Sequence, residues 1–87
     1  MTRIVVLKTL AGEELLATEH ENLSGFTYSK IRIFQVTQQG ASLVPWMLLN
    51  PDAEVTLHPA ALVCEPVEVS LEIEKQYRSA TTGIALA

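Results

Sequence analysis

Short runs of alternating apolar and polar residues, separated by glycine, proline and asparagine, occupy most of this chain. Arg3 to Thr9 is rich in β-branched residues and predicts a first strand. Leu10-Ala11-Gly12-Glu13 reads as a tight turn, with Gly12 supplying the permissive backbone. Glu14 to His20 reads as a second strand, although its Glu, Leu and Ala content leaves a helix as the alternative. After the turn Asn22-Leu23-Ser24-Gly25, the segment Phe26 to Thr37 carries the clearest period. Phe26, Tyr28, Lys30, Arg32, Phe34 and Val36 share one parity, and Thr27, Ser29, Ile31, Ile33 and Gln35 the other. Neither set is purely polar, which predicts a long, bent strand covered on both sides for part of its length.

Beyond Gln38-Gln39-Gly40, Ala41 to Leu49 is a very apolar run with Pro45 inside it. Proline lacks the N–H a ladder needs, so Pro45 marks an edge strand or a bulge. Asn50-Pro51-Asp52-Ala53 is a loop. Glu54 to Leu57 and Ala61 to Cys64 read as short strands joined by His58-Pro59-Ala60. Val69 to Thr81 predicts a helix, with Ser70 near its start and Gly83 just past its end. Val69, Ile73, Tyr77 and Ala80 then share one helical face. A period-2 reading over Val67, Val69, Leu71 and Ile73 competes with it. These elements, five or more short strands with hairpin-length turns, predict a mostly β fold: a small, strongly bent antiparallel sheet closing as an open barrel, with a short C-terminal helix. One domain spans residues 1–87, with the barrel in 1–65 and an extension in 66–87.

Composition narrows the function classes. The 87 residues are 48% hydrophobic and 18% charged, which is the balance of a folded domain. Six Lys+Arg against ten Asp+Glu leave a net charge of −4, the wrong sign for a strongly basic nucleic-acid binder. The single cysteine, Cys64, excludes an internal disulfide and a four-thiolate zinc site. His20, His58 and Cys64 show no metal-ligand spacing, and no cofactor is expected. No apolar run is long enough to span a membrane or to form a signal peptide, so a soluble, cytoplasmic domain is expected. No nucleophile–base constellation or phosphate-cradling glycine loop is present, and the chain reads as a non-enzyme.

The opening Ile4 to Ala17, with Gly12 at the turn, Leu15 at the apolar position and Ala17 at the small position, resembles the first motif of Sm-like proteins. Val55-Thr56-Leu57-His58-Pro59-Ala60-Ala61-Leu62-Val63 looks like the second motif, with His58-Pro59 where the family has Arg-Gly. The whole chain, including Pro45 to Asp52 and Tyr77 to Ile84, is most similar to small Sm-like proteins of the marine cyanophage type. The resemblance implies a five-stranded bent antiparallel sheet, an open Sm-like (SH3-like) barrel, whose protomers join strand four to strand five in a homo-oligomeric ring of roughly five to seven copies. It also implies single-stranded RNA binding near the pore and, for a phage protein, residence in the host cytoplasm. At Leu23-Ser24-Gly25-Phe26-Thr27 the carboxylate and carboxamide of the family's uracil pocket are absent.

These readings set the candidate residues. Phe26 and Tyr28 offer aromatic faces for base stacking, and Lys30, Arg32 and His58 offer charge or a donor to phosphate. Core packing of the aromatics and a solvated strand face for the cations are the structural alternatives. Pro45, Trp46, Met47, Val55, Leu57, Leu62 and Val63 are candidates for an interface between subunits. His20 is expected to face solvent, and the carboxylates Glu13, Glu14, Glu19 and Glu21 to form a solvated hairpin face. Two functions follow: a ring that binds single-stranded RNA, or an acidic homo-oligomeric scaffold that docks protein and repels phosphate.

Overall fold

The computed structural model describes residues 2–82. It contains β1 (Thr2–Lys8), β2 (Glu14–Asn22), β3 (Gly25–Thr37), β4 (Gly40–Pro45), β5 (Val67–Glu68) and α1 (Leu71–Thr82). The strands form one antiparallel sheet in the order β4-β3-β2-β1-β5. The fold is mostly β, with a single short α-helix among the described residues, as the pattern of turns and alternating runs predicts.

The central strands bury side chains on both faces, which is why β1 and β2 show little polar alternation. Val5, Leu7, Leu15, Ala17, Tyr28 and Ile31 pack on one face beneath Trp46, Val55, Leu57 and Leu62. Ile4 and Leu16 pack on the other, beneath Val69, Ile73 and Tyr77. The helix starts where Ser70 Oγ accepts the Ile73 N–H at 3.4 Å, and Glu72 and Glu74 lie in its positive first turn. Val69, Ile73 and Tyr77 form its packed face, whereas Ala80 is exposed. The glycine cap expected at Gly83 lies outside the described residues.

A bulge bends the sheet. Leu16 pairs with Arg32 and Thr18 with Ser29, so Ala17 alone opposes both Lys30 and Ile31. Lys30 takes a left-handed backbone, φ 52°, the one non-glycine residue with positive φ among the described residues. The Tyr77 hydroxyl donates to Lys30 O at 2.8 Å and meets Thr18 Oγ1 at 2.9 Å. The helix is thereby tied to the bend.

Several expected elements are placed differently. The apolar run Ala41–Leu49 is strand only as far as Pro45, and 46–49 turns away. Glu54–Leu57 is not a strand: Val55 alone bridges to Tyr28, through two backbone bonds of 2.8 Å. Ala61–Cys64 is likewise not a strand. Pro59–Ala61 forms a 3-10 turn, and Leu62 bridges to Thr9. Both segments are too short and too proline-bound to sustain a ladder. The fifth strand is Val67–Glu68, within the segment assigned to the C-terminal extension, so the sheet reaches past residue 65. The competing strand and helix readings of this region divide at Val69-Ser70, with strand before and helix after.

Candidate functional site

A cleft of about 530 Å³ opens between the start of β3 and the segment leading into β5. Phe26, Tyr28, Leu57, Pro59, Leu62 and Pro66 make its apolar wall. Ser24, Thr56, Cys64 and Glu65 supply its polar atoms, and no cation lines it. Its size and mostly apolar lining match those of ordinary binding sites.

Phe26 is 47% exposed at this cleft and also lines a smaller hollow with Thr2, Arg3, Glu19 and Glu21. Tyr28 is buried, and its hydroxyl donates to Glu19 Oε2 at 2.9 Å. Burial, reinforced by the neighbouring carboxylate, pushes the Tyr28 phenol up to about 12. Glu19 is itself buried, contrary to the solvated role expected of it, and accepts a 2.5 Å bond from Arg3 Nε. That bond is the largest cause raising the Arg3 pKa. Arg3 also reaches Glu68 at 3.3 Å, linking β1 to β5. The hairpin register signals this cluster: a turn centred at residue 11 sets Arg3 opposite Glu19 and Lys8 opposite Glu14.

The remaining candidates are not brought to the cleft. The bulge inverts the parity of β3 beyond Ser29, so Ile31 and Ile33, not Lys30 and Arg32, continue the face of Phe26 and Tyr28. Arg32 is buried on the helix side, donating to Pro51 O at 2.8 Å and Asp52 Oδ1 at 2.9 Å. It anchors the loop after β4, so its charge is turned to the protein itself. Lys30 is half-buried at the bend. His58 is exposed beside the cleft wall, but its Nδ1 accepts the Ala60 N–H at 3.1 Å and caps the 3-10 turn, leaving Nε2 outward. His20 is half-buried, with Nε2 2.7 Å from Ser29 Oγ, rather than solvent-facing. Among the described residues, Arg3, Lys8, Arg32 and Arg78 are all ion-paired within the chain.

The candidate interface residues divide. Trp46, Val55, Leu57 and Leu62 are half-buried against the core of their own chain. Pro45 is half-buried at the end of β4, and Met47 and Val63 are exposed. Among the described residues the sheet order leaves β4 paired only with β3 on one border and β5 paired only with β1 on the other. On the β5 side, Val63 N–H also bonds Lys8 O at 2.8 Å, extending that border back toward the cleft. Among the described residues no helix is long and apolar enough to cross a membrane. A scan against protein-family models finds no match to this chain, and a search of curated proteins finds none either.

Proposed function

We propose that this chain is an Sm-like module that assembles with copies of itself into a ring and acts as an acidic scaffold. The observation that carries this reading is the pair of open sheet borders, β4 and β5, at opposite ends of one five-stranded sheet. Open borders present unpaired backbone groups, and an identical neighbour can satisfy them. A head-to-tail contact that rotates by a fixed angle closes on itself. Exposed Val36, Met47, Leu48, Leu49, Val63 and Val67 lie on or next to the border strands in the chain and supply apolar surface for such a contact. The charge of −4 is multiplied in an assembly, and pairing within the chain ties up most of its cations. Both features favour a docking role over a hold on phosphate. Light scattering at micromolar concentration tests the reading: several times the 9.6 kDa chain mass is expected, and a monomer refutes it.

Single-stranded RNA is the second reading, favoured by the part-exposed ring of Phe26 at the cleft and by the exposed His58. Stacking on such a ring contributes about 1–3 kcal/mol per base. Binding of short oligo-U and oligo-A at low salt tests it, because phosphate contacts are strongest there. Absence of binding leaves the scaffold.

A further inference from the structure

We propose that the loop Met47-Leu48-Leu49 of one copy seats in the cleft walled by Phe26, Leu57, Leu62 and Pro66 of the next. This rests on the assembly reading above and names the contact that would hold the assembly together. The loop is a knob of three consecutive apolar side chains, with Leu48 77% and Leu49 102% exposed. It is fastened at both ends. Trp46 N–H bonds Ile31 O at 3.0 Å, and Arg32 grips Pro51 and Asp52 on the far side. A knob held in place loses little conformational freedom when it binds.

The cleft is the matching hole. None of the three loop residues lines it, so the chain does not fill it with its own knob. Its wall is apolar and its one charged residue is Glu65. A phosphate or an acidic peptide would meet that carboxylate with no cation in the lining to oppose it. An uncharged loop carries no such penalty, and between two chains of charge −4 the neutral surfaces are where copies approach at least cost.

Topology brings the two features together. The knob directly follows β4, and Cys64-Glu65-Pro66 of the cleft directly precede β5. When two strands run antiparallel, residues past the end of one lie opposite residues before the start of the other. Apposing the β4 border of one copy to the β5 border of the next in antiparallel sense therefore carries the knob toward the hole. The contact joins different surfaces, so it is head-to-tail and each copy uses both. A stable interface buries about 800 Å² per partner, and two such patches would take about a quarter of the 6068 Å² surface.

Cys64 in the cleft wall provides the test. Leu48→Cys is made in the full chain and mildly oxidised, then run on a non-reducing gel beside two controls, the parent chain and Leu48→Cys/Cys64→Ser. A ladder of linked copies is expected for Leu48→Cys alone. Assembly at the parent's mass without that ladder, or a link within one chain, overturns the loop-in-cleft contact while leaving the assembly standing. A monomeric parent overturns both. Leu49→Ser gives a second readout, since a fully exposed side chain can be replaced without disturbing the fold, as circular dichroism verifies. It is expected to raise the concentration for half-assembly at least tenfold, and an unchanged concentration overturns the proposal. So does protection of Cys64 from alkylation by oligo-A at dilutions where the chain is monomeric, which would give the cleft to RNA.

Discussion

Replacing Arg32 with methionine keeps an unbranched apolar stem and removes the guanidinium. In the folded chain that group donates to Pro51 O at 2.8 Å, to Asp52 Oδ1 at 2.9 Å and to Ile31 O at 3.2 Å. The Arg32 side chain is 8% exposed and that of Asp52 59%. Asp52 can rehydrate when its partner is lost, so the full cost of a stranded buried charge does not arise. A charged donor on a carbonyl contributes about 1.5–3 kcal/mol, which applies to the Pro51 bond. The long bond to Ile31 adds little, and the pair with exposed Asp52 adds less than about 1 kcal/mol. Removing a desolvated guanidinium returns part of this. Arg32→Met is therefore expected to destabilise by about 2 kcal/mol, and Asp52→Asn by less than about 1 kcal/mol. Urea unfolding followed by the fluorescence of half-buried Trp46 measures both, at one fixed chain concentration because assembly shifts apparent stability. An unchanged midpoint for Arg32→Met, with a salt dependence of oligonucleotide binding reduced by about one phosphate, would refute the anchoring role and return Arg32 to a nucleic-acid surface.

Three further outcomes are expected. The Tyr28 phenol, raised from 10.0 to about 12 in the folded chain, holds its proton more tightly than in the unfolded chain. Its contribution is complete below pH 10 and is lost as pH rises through 12, costing up to about 2–3 kcal/mol. The burial that raises Tyr77 acts in the same direction. Alkaline unfolding of Tyr28→Phe should lack much of this loss, and an identical profile would exclude Tyr28 as its source. Tyr77→Phe deprives Lys30 O of its donor and should destabilise by about 1–3 kcal/mol in chemical denaturation. At the left-handed bulge position, Lys30→Val should cost about 1–2 kcal/mol while Lys30→Gly stays within about 1 kcal/mol of the parent. Equal midpoints for these two variants would mean that the bend does not depend on that backbone conformation.

Local pattern predicted β1, β2, β3 and α1, because periodicity reports which residues must leave water, although it left a helix open for β2 and a strand open over the start of α1. It also contained the ion pairs of the first hairpin, since the turn sets the register and the register sets Arg3 against Glu19. The charge of −4 and the lone cysteine bounded the chemistry without any fold. What tertiary structure decided was which face each β3 residue serves. One bulge at Lys30 inverts parity, so an apparent stripe of Phe26, Tyr28, Lys30 and Arg32 is split between two sides of the sheet. Alternation counts residues and carries no record of where a ladder takes up an extra one. The fifth strand escaped for a related reason: two residues of β5 contain no period, and they become a strand only because β1 lies beside them. The cleft, too, exists only after residues 24–28 and 56–66 fold against each other, since no local rule specifies the distance between segments so far apart in the chain.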